Sequence, residues 1–150
     1  MITYVVRAER FQLCKRALHV FAESLRVLKF VHLVENAPAI VTEGFLQALG
    51  HLMNESQDSC RDSFSCSCPE LDRLCDIARR HGSYGSRLTG AGWGGCSVHL
   101  VPQDRVREVR QAWNEEYYGK LLPGLSPEEL EDAIIVSKPG RGAVLYRILE

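Results

Sequence analysis

Six of the chain's twelve glycines fall between positions 82 and 95, and the run Gly90-Ala91-Gly92-Trp93-Gly94-Gly95 leaves the backbone almost bare of side chains. Such a segment can take positive φ, let another backbone or a phosphate come close, and present several N–H groups in one direction. A tight connection between two strands would also use it. Its flanks support a bend of that kind, because Ser86–Thr89 reads as a strand and Cys96, Val98 and Leu100 alternate with Ser97, His99 and Val101 until Pro102 closes the run.

Gly90, Gly92 and Gly95 match G-x-G-x-x-G, yet the dinucleotide-binding motif requires a helix directly after it, to aim its amino end at a pyrophosphate. A strand follows here. No V-A-I-K, H-R-D or D-F-G follows either, and the chain has no G-x-x-x-x-G-K-[ST].

Around the loop, helical and extended patterns alternate. Phe11, Cys14, Leu18, Phe21, Leu25 and Leu28 draw an apolar stripe along a helix over about 10–34, which is expected to bury it, with Lys15, Arg16, Glu23 and Arg26 on the opposite face. A shorter helix is expected over about 39–53, then a polar connection over 54–68. Ser67 and Glu70 fit a capping box with Pro69 in the first turn, and Leu71, Leu74, Cys75 and Ala78 form the buried stripe of that helix, stopped by Gly82. A helix over about 104–118 carries Trp113, Tyr117 and Tyr118 as core and rim, and Ser126-Pro127-Glu128-Glu129 opens a short one. Two last strands, Ile134–Ser137 and Ala143–Ile148, are expected to flank a turn over 138–142. The pattern is α+β: an antiparallel sheet of about four strands packed with helices.

The 150 residues carry 18 Lys and Arg against 19 Asp and Glu, so no net field draws nucleic acid or an anionic membrane. No stretch approaches the ~20 apolar residues of a membrane span, and Met1–Arg7 lacks the basic start of a signal peptide. A cytoplasmic protein with reduced thiols is expected. Cys60, Cys66, Cys68 and Cys75 lack the paired C-x2-C spacing of zinc sites, so no metal site is assigned; Cys14, Cys75 and Cys96 are placed on core-facing positions. Glu55, Asp58 and Asp72 are carboxylates without a nucleophile or base at defined spacing. None of the five histidines has an identifiable Ser or Cys partner.

The stretch Ser86-Arg87-Leu88-Thr89-Gly90-Ala91-Gly92-Trp93-Gly94-Gly95-Cys96 resembles the third, C-terminal motif of the GHMP small-molecule kinases, in the form found in galactokinases and N-acetylgalactosamine kinase. Met53-Asn54-Glu55-Ser56, Ser59-Cys60-Arg61-Asp62, Ser67-Cys68-Pro69-Glu70-Leu71-Asp72 and Ser137-Lys138-Pro139-Gly140 occur in the family's order, and Cys60 and Trp93 lean toward the N-acetylgalactosamine kinase branch. Arg141 stands where the family commonly has glycine. The likeness covers residues 11–150 and leaves 1–10 as an extension of unknown role.

The resemblance implies a ferredoxin-like GHMP kinase C-terminal domain from an ATP- and Mg-dependent sugar-1-kinase acting on galactose or N-acetylgalactosamine. Gly90, Ala91, Gly92, Trp93, Gly94 and Gly95 would support the phosphate-binding loop, and Arg61, Asp62, Arg87, Thr89 and Lys138 would line the cleft. The sugar-binding motif, the phosphate loop and the catalytic base belong to an N-terminal domain that these residues do not supply. No catalytic residue is therefore assigned here, and the chain alone is expected to be inactive. The alternative is a noncatalytic sugar-sensing or protein-interaction module of the same family.

Overall fold

The computed structural model describes residues 11–138 and 140. Helix α1 (Leu13–Glu35) is followed by α2 (Glu43–Ser59), whose last turn widens into a π-helical segment, Cys60–Phe64. Next come α3 (Pro69–Arg80), strands β1 (Gly85–Thr89) and β2 (Cys96–Leu100), and α4 (Val106–Trp113), which widens in the same way over Asn114–Tyr118. The short α5 (Gly119–Leu121) and α6 (Pro127–Ala133) complete the order. The architecture is α+β. Its sheet is a two-stranded antiparallel pair among the described residues, in a register that sets Gly85 opposite Leu100 and Thr89 opposite Cys96. Among the described residues the segment expected to pair as Ile134–Ser137 forms no ladder, although Ile134 packs on the core; the 138–142 turn and the Ala143–Ile148 strand lie largely or wholly outside the described residues.

One face of the sheet rests on α3 and α4. There Ile77, Ala78, Val109, Ala112, Trp113 and Tyr117 form the main core, and Leu71 and Leu88 join Cys60 and Cys66 in a second cluster beside it. His99 lies on this side of β2. It bonds Ser86 Oγ across the sheet (2.9 Å) and Ser97 Oγ along it (2.8 Å), and its ring meets Trp113 edge-on at 4.7 Å. These serine partners were invisible in the sequence, since the first depends on strand register. Cys96 and Val98 point the other way and are exposed, which corrects the expectation that Cys96 faces the core.

Helix α2 runs against the outer edge of β1 and stands where a further strand would. Asn54 donates to Tyr84 O (3.0 Å) and accepts from Ser86 N–H (2.9 Å); one turn on, Gln57 Oε1 accepts from Leu88 N–H (2.7 Å). The i, i+3 spacing sets both amides on the same helix face. Close approach is possible because Gly50 has no side chain: a Cβ there would lie 2.3 Å from the Tyr84 carbonyl. The polarity of 54–59, read above as a connection, is the chemistry of this edge, and the helix continues through it.

Ser67 does not cap α3, whose N-cap is Cys68; its hydroxyl donates to Asp72 (2.7 Å) inside a cluster with Gln57. By contrast, Ser126 and Glu129 do close a capping box on α6. On α1, the face turned inward is Arg16, His19, Glu23 and Arg26, while Leu18, Phe21, Leu25 and Leu28 are exposed, as is Cys14. The expected stripe exists, but it faces solvent.

Two outcomes follow. Gln57→Leu leaves the buried Leu88 N–H without an acceptor and should lower the unfolding free energy by ~2 kcal/mol in urea titrations. Burial first, and then the charge of Arg79, push the His99 pKa down to about 4. Between that value and the ordinary 6.5 the unfolded chain binds a proton that the folded chain does not. Stability is therefore complete above pH ~6.5 and falls by about 2–3 kcal/mol as pH drops to ~4.5. His99→Gln should flatten that slope in the same titrations.

Candidate functional site: a glycine loop clamped to a π-helical turn

The β1–β2 connection holds a succession of backbone angles that L side chains resist. φ is +82° at Gly90, +85° at Gly92, +134° at Gly94 and +82° at Gly95. Trp93 also sits in the left-handed region, at +56°. A Cβ at Gly90, Gly94 or Gly95 would meet nothing within 4 Å, so these three glycines serve conformation. Gly92 serves contact as well, because a Cβ there would lie 2.2 Å from the Cys66 carbonyl oxygen.

That carbonyl is the anchor of the loop. Trp93 N–H donates to Cys66 O at 2.7 Å and the Trp93 indole N–H to Ser65 O at 3.0 Å. The turn presenting both oxygens closes through Cys66 N–H to Cys60 O (3.0 Å), with Ser65 left-handed at φ +62°. Beneath it Cys60 and Cys66 are buried; burial first, then the neighbouring Cys66, push the Cys60 thiol up to about 11. It stays protonated and unreactive at neutral pH. Above the turn the loop is open: residues Thr89–Cys96 border a surface hollow of about 630 Å³, and Trp93 is 66% exposed. Among the described residues the amides of Ala91, Gly92, Gly94 and Gly95 make no backbone hydrogen bond, which leaves them free to receive an anionic oxygen. Thr89–Cys96 contains no carboxylate, so this segment offers a phosphate its amides and offers Mg²⁺ no charged ligand.

The other sequence candidates are dispersed. Thr89 is exposed at the root of the loop. Arg61 grips Asp62 with two bonds (2.8 and 2.9 Å) and reaches Asp58 at 3.3 Å; its hydrogen bonds and charge hold the Asp62 carboxyl below the usual range. Arg87 projects from the opposite sheet face into a cavity of about 440 Å³ between α1, α2 and the sheet, where it meets Glu23 at 3.4 Å. Burial works to raise the Glu23 carboxyl, but hydrogen bonds from Ser56 and Arg26 and the charges of Arg87 and Arg26 outweigh it and bring it below the ordinary value. Lys138 is exposed beyond α6. Ser65 and Cys66 were not among the sequence candidates, because they act through their carbonyls and leave no side-chain signature.

Residues 33–119 match the family described as GHMP kinases C terminal, and this chain belongs to that family. Within it, the chain is similar to galactokinases: 50% identical to that of Saccharomyces cerevisiae over 99% of this chain and 29% of the yeast protein, and 42% identical to that of Candida parapsilosis over 95% and 28%. The chain thus spans less than a third of these relatives' length. A solved galactokinase of Lactococcus lactis in complex with galactose aligns with TM-score 0.46 and 21% identity, covering 79% of this chain and 40% of that one. Among the described residues, no helix is long and apolar enough to cross a membrane.

Gly92 and Gly90 differ in the space around them, and substitution separates the two roles. Gly90→Ala should cost about 1 kcal/mol of backbone strain alone. Gly92→Ala adds a collision with Cys66 O and should cost at least ~2 kcal/mol more while shifting the Trp93 fluorescence, both read in thermal melts against the parent chain.

Proposed function

We propose that this chain is the C-terminal part of an ATP-dependent sugar-1-kinase that phosphorylates galactose or N-acetylgalactosamine. In this reading the Gly90–Gly95 loop supports the nucleotide's phosphates. The observation that carries it is the loop itself: exposed, positive in φ, and held by Trp93 alone so that its remaining amides are free. Phosphoryl transfer depends largely on positioning and on stabilising charge on the transferring group, and pre-set amides supply both at little reorganisation cost. ATP supplies the phosphoryl group, and Mg²⁺, held by residues elsewhere, neutralises its charge. The similarity to yeast galactokinases supports galactose as substrate, while Cys60 and Trp93 keep N-acetylgalactosamine in the comparison.

The partner that completes the site is an N-terminal kinase domain. The outward face of α1, with Leu18, Phe21, Leu25 and Leu28 exposed, is the surface assigned to it, since a contiguous apolar patch of this kind on a folded protein marks an interface.

The test joins the chain to the upstream portion of the yeast relative by co-expression and follows ADP formation with galactose and with N-acetylgalactosamine. Turnover only in the joined protein, collapsing with Gly92→Val, is the expected result. A tightly joined complex without turnover would remove the kinase reading. Tight sugar binding by the chain alone would favour the sensing module.

A further inference from the structure

We propose that Arg16, on α1, is a positioning residue for the glycine loop and acts through the Cys60–Cys66 turn and Trp93. Its guanidinium donates from Nη1 to the Ser63 carbonyl and to Ser65 Oγ (3.1 Å) and lies over the Phe64 ring, 5.7 Å from its centroid. Arg16 therefore touches three successive residues of the turn. His19, one helical turn along, packs at a tilt against the same Phe64 ring, with centroids 4.8 Å apart, and bonds Ser59 Oγ at 2.9 Å. The next two groups in line are the carbonyls of Ser65 and Cys66, both taken by Trp93.

The path from Arg16 through Ser65 to the Trp93 indole is short and its two links are directional hydrogen bonds. A left-handed serine is a poor resting place for a backbone, and the Arg16 bond to its hydroxyl fixes that residue with its carbonyl turned to the indole. Trp93 is itself held in the left-handed region, where two hydrogen bonds to the turn offset the strain. Removing Arg16 frees Ser63–Ser65 to relax, and the loop loses the surface against which its angles are set. Among the described residues the side-chain hydrogen bonds of Arg16 go to Ser63 and Ser65 and none goes to the loop, so its effect on the loop is transmitted through the turn.

The consequence for turnover rests on the phosphate-supporting role of the loop; the coupling does not. Two measurements keep these apart. In the full 150-residue chain, labelled with nitrogen-15, Arg16→Gln should speed exchange of the backbone N–H at position 93 by about tenfold, the loss expected for a charge-assisted bond. The Trp113 indole N–H, bonded to Leu74 O at 2.9 Å in the core, reports global opening and should change less than about twofold. Arg16→Lys should restore part of the protection. Trp93→Phe removes only the indole bond and should speed exchange about threefold, and in that background Arg16→Gln should add only about threefold more instead of tenfold, because part of its effect runs through the Ser65–indole bond that is already gone.

Unchanged exchange at position 93, or equal acceleration at Trp113, overturns the proposal. In the joined kinase, Arg16→Gln should raise KM for ATP about tenfold with KM for the sugar unchanged. Loosened exchange with KM for ATP unmoved would preserve the coupling and remove the phosphate-supporting role instead.

Discussion

Two side-chain amides decide how this fold is assembled. A two-stranded sheet has two open edges, and a buried N–H without an acceptor costs as much as a lost hydrogen bond. Asn54 and Gln57 take over one edge of β1, and they do so from a helix, at a separation that Gly50 makes short enough. Gln57 then spends its N–H donors on Ser67 and Asp72, so one side chain joins α2, β1 and the start of α3. Remove this junction and the strand has no fixed distance from the helix behind it.

The functional candidate inherits its position from that junction. The last turn of α2 widens into the Cys60–Phe64 segment, which leads directly into Ser65 and Cys66, whose carbonyls receive Trp93, while β1 delivers the start of the loop. The start of the loop and its midpoint at Trp93 are thus both referenced to α2. An extra residue per turn in a helix re-aims everything after it, and here it turns the backbone so that Ser65 and Cys66 show their oxygens to the glycines.

What was legible beforehand had a local cause. The glycine loop, its flanking strands, the capping box at Ser126 and the stop at Gly82 follow from conformational rules acting within a few residues. Ser67 and Glu70 carry the same capping pattern as Ser126 and Glu129, yet only the second pair forms the box, because Gln57 and Asp72 claim Ser67 from elsewhere in the chain. Residues 54–59 read as a connection because a helix that buries polar side chains against a strand edge has no apolar period to display. On α1 the period was right and the direction was not: amphipathicity says that a helix has two faces, not which one the rest of these residues occupies. The anchor for the loop was hidden for a different reason, since main-chain oxygens are the same in every residue.

That inversion of α1 gives the helix an unusual dependence on its medium. Its inner face is held to α2, the sheet and the Cys60–Phe64 segment by Arg16, Glu23 and Arg26, whereas α3 and α4 are held by Ile77, Val109 and Trp113. Dissolved ions screen charge pairs near a surface and leave apolar contacts intact or slightly strengthened. Rising ionic strength therefore loosens the first helix while the main core stays closed, and an unscreened, low-salt solution is where α1 grips the rest of the fold most firmly.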